Sequence, residues 1–254
     1  MPYDLSRGWH ALPTGTVTPL RMYIAQPATP GHYPAVLIGM ELFGLTAHIR
    51  EITDRIAELG YVAVAPDFYH RSQHDAELAY TTEGRAQGFT LLHNMTRQQV
   101  LTDIGTVRDW LITQPQVLTS FGFIGFSLGA HIAYLAASEY VFSACACFYG
   151  GWLTCTDIPL SRPEPTLERT PGIAINGGEL IYFSGGNDPL ITAEQRNLIQ
   201  HALQQAGVNH ELIVYPEATH GFFCDQRDTF NIVAHDAAWQ RVQILLAKRL
   251  QHQN

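Results

Sequence analysis

The chain has 254 residues, is 46% hydrophobic, and carries 15 Lys and Arg against 23 Asp and Glu, a formal net charge of −8. That length suits one large α/β domain, and with no Pro-, Gly- or Ser-rich linker in view a single domain over residues 1–254 is expected. No basic cluster offers a nucleic-acid footprint, no apolar run approaches the ~18 residues of a membrane span, and the N-terminus lacks the apolar core of a signal peptide; neither nucleic acid nor membrane is an expected partner, and a cytoplasmic location is.

Apolar periodicity switches repeatedly between strand and helix. A strand is predicted around Val17–Ala25, after the turn at Pro13–Gly15. The unbroken run Ala35–Met40 reads as a parallel strand buried on both faces. Ile49, Ile52, Ile56 and Leu59 then fall at helical spacing, with Gly60 where a helix would end. Tyr61–Ala65 is another buried strand, closed by Pro66. The more polar stretch 71–94 reads either as a helix or as an excursion over the sheet. From Thr96 the spacing of Val100, Ile104, Val107 and Leu111 predicts a helix, with Pro115 beyond its end. Phe121–Gly125 is a short strand, Ala130–Ser138 a helix and Val141–Tyr149 a strand. Residues 150–171, with four prolines, read as a loop. Glu179–Phe183 and Glu211–Tyr215 are strands flanking a helix over Thr192–Ala206. A closing helix sets Ala238, Trp239, Val242, Leu245 and Leu246 on one side. This alternation predicts a mostly parallel sheet with helices on both faces, and functional groups at the carboxyl ends of its strands.

Cys145 and Cys147 alternate on one predicted strand face, too close in sequence to bridge, and Cys155 and Cys224 complete no metal-ligand spacing. Four free thiols and no bound metal are therefore expected.

The strongest chemical signal is Gly125-Phe126-Ser127-Leu128-Gly129, directly after an apolar strand and before a helix. That is the context of a nucleophile elbow, in which a sharp turn exposes the serine Oγ. It also sets the Leu128 N–H at a helix N-terminus, where it can stabilise an oxyanion. A serine hydroxyl needs a base and the base an orienting carboxylate, here in the chain order serine, acid, histidine. Of the downstream histidines, His131, His201, His235 and His252 lie in or beyond helices and His210 opens a strand. Only His220 follows the carboxyl end of a strand in a loop. Asp188, in Gly185-Gly-Asn-Asp188-Pro189, is the acid expected; capping the next helix is its plainer reading, and Asp157 its main competitor.

These motifs, with Gly39-Met-Glu41-Leu42-Phe43-Gly44, Pro66-Asp67-Phe68-Tyr69 and His220-Gly-Phe, resemble the dienelactone hydrolase family along nearly the whole chain. The resemblance implies an α/β-hydrolase fold and no cofactor. It also implies Glu41 as an accessory acid beside Ser127, and an oxyanion hole built from the Leu42 and Leu128 N–H groups. Two departures stand out. The family's usual nucleophile is a cysteine, whereas this chain has Ser127, which leaves the role of Glu41 open between tuning the serine, binding substrate and structure. The family also grips a substrate carboxylate with two arginines. Arg85 matches one, but the position of the other is Cys224, with Arg227 out of register, which argues against the same anionic dienelactone as the preferred substrate. Tyr69, Arg85, Phe89, Tyr149 and Trp152 are candidate pocket walls, and ordinary packing is their plain alternative.

The reading is a serine hydrolase for small-molecule esters or lactones. An amidase or peptidase is the first alternative and a non-catalytic ligand-binding relative the second. Acyl preference and oligomeric state are not legible in the sequence.

Overall fold

The computed structural model describes residues 2–15 and 18–251. Eight strands form one sheet: β1 (Leu5–Leu12), β2 (Leu20–Pro27), β3 (Tyr33–Gly39), β4 (Val62–Pro66), β5 (Val117–Phe126), β6 (Ala144–Phe148), β7 (Glu179–Gly185) and β8 (Asn209–Tyr215). Their spatial order is β1-β2-β4-β3-β5-β6-β7-β8, with β1 and β2 in antiparallel ladders and the pairs from β4 to β8 parallel. Seven α-helices accompany them: α1 (Ala47–Glu58), α2 (Thr82–His93), α3 (Arg97–Ile112), α4 (Leu128–Glu139), α5 (Thr170–Asn176), α6 (Ala193–Gln205) and α7 (Ile232–Leu246).

The burial of β4, β6 and β7 at every position explains why those strands read as continuous apolar runs. Right-handed crossovers carry the chain left from β3 through α1 to β4 and right from β5 through α4 to β6, which places the two helices on opposite faces. The closing α7 returns beside α1, where the Arg55 guanidinium lies 4.1 Å from the Trp239 ring centroid. Helix starts are chemically marked. Thr96 and Thr192 each form a capping box with the glutamine three residues on, satisfying donors the first turn leaves free.

Four elements differ from expectation. Helix α5 (Thr170–Asn176) stands where the sequence reads as the end of a loop, with a proline in its first turn. The β1 strand was not predicted, because all but its two end residues are exposed and it shows no apolar alternation; its ladder with β2 makes it a strand. Val17, in the predicted start of the next strand, lies outside the described residues, and β2 begins at Leu20. The stretch 71–94 resolves into a loop and the helix α2, capped by Thr81, whose hydroxyl accepts from the Gly84 N–H at 3.1 Å. Among the described residues, no helix is long and apolar enough to cross a membrane.

Candidate active site

Central strand β5 hands the chain to α4 at Ser127, which is held at φ 51° and ψ −109°. A non-glycine residue in that left-handed region carries about 1–3 kcal/mol of strain, which the surrounding packing must hold in place. The flanking glycines are what let the turn close. A Cβ on Gly125 would stand 2.0 Å from the Gly129 carbonyl oxygen, and one on Gly129 would stand 2.2 Å from the Gly39 carbonyl. The elbow is thus pressed against its own helix and the end of β3. The Ser127 N–H donates to Phe148 O at 2.9 Å, tying the turn to β6 as well.

The loops after β7 and β8 bring the partners. Ser127 Oγ lies 2.9 Å from His220 Nε2, and His220 Nδ1 lies 2.9 Å from Asp188 Oδ2. Because the carboxylate can only accept, Nδ1 carries the proton and Nε2 faces the serine with its lone pair. The Asp188 side chain is fully buried, and its other oxygen accepts from the Leu190 N–H at 2.8 Å. The helix-cap reading of Asp188 does not hold, since Thr192 caps α6. The competing Asp157 makes no hydrogen bond to His220 among the described residues; its carbonyl accepts from Arg162 Nη2 at 3.5 Å, and Asp188 holds the imidazole.

Glu41 is fully buried, and its Oε1 accepts from Tyr149 Oη and Arg227 Nη1, each at 3.3 Å. It makes no hydrogen bond to Ser127, and its Oε2 has no partner among the described residues. Burial and the nearby Glu41 charge push the Tyr149 phenol well above its ordinary pKa, so it donates as a neutral hydroxyl.

A cavity of about 210 Å³ opens over this chain of hydrogen bonds, with Glu41, Leu42, Ser127 and His220 at its floor. Arg85 and Phe89 reach it from α2, and Trp152 from the loop after β6. Phe89 and Trp152 meet edge to face, ring centroids 6.1 Å apart. Tyr69 and Tyr149 stand behind the wall, not in it. The buried Tyr69 hydroxyl donates to Leu42 O at 3.0 Å, and the Tyr149 ring lies edge-on to His220 at 5.1 Å. The Leu42 and Leu128 N–H groups donate to no backbone acceptor among the described residues.

One wall residue was misjudged. Arg227, out of register with the family's second arginine, nevertheless lines the cavity. The turn after His220 folds back on itself, and Gly221, at φ 80°, leaves the space the guanidinium fills: a Cβ there would stand 2.4 Å from Arg227 Nη1. The Arg227 guanidinium also sits 5.6 Å from the ring centroids of Phe43 and Tyr80. A glycine directly after the histidine was the available signal. The cavity wall therefore carries two arginines, Arg85 and Arg227, the second paired with the buried Glu41.

His131, set aside as structural, is fully buried, with Nδ1 2.9 Å from Gly151 O and Nε2 2.9 Å from Thr166 Oγ1. Burial pushes its pKa down to about 4, so near neutral pH it bridges the two as a neutral ring, Nδ1–H donating to the carbonyl. It pins the loop that carries Trp152.

The Dienelactone hydrolase family model matches residues 20–250. A Synechocystis sp. protein named "Putative carboxymethylenebutenolidase" is 38% identical over 232 residues, covering 90% of this chain and 91% of its own. One of the same name from Yersinia pestis is 30% identical over 229 residues, covering 88% of this chain and 81% of its own. Among solved structures, the "Putative Dienelactone Hydrolase" from Klebsiella pneumoniae superposes with a TM-score of 0.85 at 25% identity, covering 96% of this chain and 99% of that one. The chain belongs to the dienelactone hydrolase family, carboxylic ester hydrolases built on the α/β-hydrolase fold.

Proposed function

We propose that the protein is a serine hydrolase that cleaves small carboxylic esters or lactones through an acyl-enzyme. The observation that carries this reading is the unbroken hydrogen-bond chain from Ser127 through His220 to Asp188, with the serine facing the cavity. Ser127 Oγ attacks the acyl carbon as His220 Nε2 takes its proton, and Asp188 holds the imidazolium that results. The N–H groups of Leu42 and Leu128 are the donors for the tetrahedral oxyanion, a contribution of about 10²-fold or more per donor. The alkoxide leaves with the proton from His220, and water then repeats the sequence to release the acid. In this reading Glu41 does not hold the resting nucleophile. It anchors Arg227 and Tyr149 at the cavity floor and offers Oε2 to substrate. A cavity of about 210 Å³ favours small molecules over the peptide segments an amidase or peptidase would hold. The test is titration with an organophosphate followed by intact mass. One adduct per chain, mapped to Ser127, is expected; no adduct on a folded protein would favour the ligand-binding alternative.

One of the two cavity arginines favours a finer reading, in which the substrate carries a carboxylate. Arg227 is neutralised by Glu41, but Arg85 has no carboxylate partner among the described residues, and its guanidinium stands over the Phe89 ring, 5.7 Å from the centroid. The relatives' name, carboxymethylenebutenolidase, itself specifies a butenolide lactone bearing a carboxymethylene group. In Arg85→Gln, kcat/KM for mono-p-nitrophenyl succinate is expected to fall about tenfold, the loss of one charge-assisted hydrogen bond. Turnover of the uncharged p-nitrophenyl butyrate serves as the control and is expected to hold. Equal losses on both esters would remove the anionic reading and leave the hydrolase reading intact.

A further inference from the structure

The first turn of α1 and the turn after His220 bring together three donors that the hydrolytic machinery does not use. They are the His48 imidazole, the Cys224 thiol and the Asp225 carboxylate, with ligand atoms all within 4.8 Å of one another. His48 is 2% exposed, yet neither ring nitrogen makes a hydrogen bond. Nε2 has no partner among the described residues, and Nδ1 stands 3.7 Å from Asp225 Oδ1, beyond hydrogen-bond reach. Buried ring nitrogens without partners are uncommon and call for an explanation. The ring is held from its sides by Phe126 and Phe223, with centroids 6.0 and 6.3 Å away.

We propose that His48, Cys224 and Asp225 form a site for a thiophilic divalent cation of the Zn²⁺ type, with water as the fourth ligand. Three protein ligands of nitrogen, sulfur and oxygen type with one open position are a common zinc arrangement. Bonds of about 2.0 Å to nitrogen and oxygen and about 2.3 Å to sulfur put tetrahedral ligands roughly 3.3–3.7 Å apart. The cluster therefore has to contract by about 1 Å, a movement within reach of a side-chain rotation. Asp225, already 3.7 Å from His48 Nδ1 and 60% exposed, gives the ion a way in from solvent.

The local charges divide. Glu41, Asp225 and Glu51 act on His48 with a sign that welcomes a cation, while Arg55 opposes them. Cys224 feels Glu41 and, in the opposite sense, Arg227. Burial lowers the pKa of His48, which leaves a neutral ring with a lone pair to give. Burial and Glu41 push the thiol up to about 12, so the ion binds by displacing a proton: the S–H bond breaks, the sulfur–metal bond forms, and the proton leaves to solvent. Binding would also end the present contact between Cys224 Sγ and Tyr80 Oη at 3.5 Å. Occupancy would clamp to α1 the turn that carries Arg227, beside Phe126, the neighbour of Ser127.

The test uses the full chain, stripped with a chelator and titrated with Co²⁺. A thiolate-to-cobalt charge-transfer band saturating at one equivalent is expected. Zn²⁺ should displace the cobalt, with its affinity read by competition against a chromophoric chelator. That affinity is expected to fall at least about tenfold in each of His48→Gln, Cys224→Ser and Asp225→Asn. Because Asp225 is exposed, Asp225→Asn does not threaten folding. The proposal is overturned if the folded wild type shows no charge-transfer band, or if zinc affinity is unchanged in Cys224→Ser and Asp225→Asn.

Discussion

Replacing Ser127 by alanine is expected to lower kcat for p-nitrophenyl butyrate by about 10⁵- to 10⁶-fold while leaving the protein folded. The reasoning is local. Alanine keeps the Cβ and therefore the strained φ of 51°, so the elbow and the start of α4 stay where they are. Only the Oγ is lost, and with it both the bond that forms in the acyl-enzyme and the 2.9 Å hydrogen bond it donates to His220 Nε2. The substitution leaves in place the cavity walls supplied by Arg85, Phe89, Trp152 and Arg227, so affinity for a slow substrate or a product should change little. The checks are steady-state kinetics, the organophosphate adduct by mass, and a thermal melt within a few degrees of wild type. Retention of more than about one per cent of wild-type turnover would mean that another group carries the chemistry.

Asp188→Asn is expected to cost about 10⁴-fold in kcat with little change in KM. The buried carboxylate accepts from His220 Nδ1 at 2.9 Å and so keeps the proton on that nitrogen. An asparagine NH₂ in its place donates to Nδ1 and drives the proton to Nε2. The imidazole then presents a donor to Ser127 where a base is required. The same orientation leaves the amide oxygen facing the Leu190 N–H, now accepted by Asp188 at 2.8 Å, so stability should change little. A fall of less than tenfold would show that the orientation of His220 is maintained by something other than Asp188.

The parts of this site that were legible in the sequence are those that backbone chemistry writes locally. A strand-to-helix elbow needs small residues on both sides of the serine, and Gly125 and Gly129 advertise that need. Strands buried on both faces read as continuous apolar runs, so β3 to β7 could be placed and the loops at their ends searched for acid and base. What lay outside reach depends on partners distant in sequence. The residues of β1 carry no apolar alternation, and only the ladder with β2 makes them a strand. The α2 segment holds two glycines that lower its helical propensity, so the pattern left helix and excursion open. For Tyr69 the sequence gives neighbours but not direction; the side chain turns inward to hold Leu42 from behind. Counting residues from the histidine leaves Arg227 out of register, a measure that fails when the intervening turn folds back over Gly221.

The loop after β6 has a division of labour that bears on how such an enzyme changes its diet. Trp152 faces the cavity, yet the loop is secured elsewhere: by His131 at Gly151 and Thr166, by the Ser161 hydroxyl at Trp152 O, and by Arg97 at Leu160 O. None of those anchors involves the indole, and the facing Phe89 belongs to a separate helix. The two rings that shape the entrance are thus interchangeable parts mounted on a fixed frame. Random drift or a directed library at residues 89 and 152 can sample new acyl groups while the frame keeps folding, so selectivity and integrity can evolve on separate accounts.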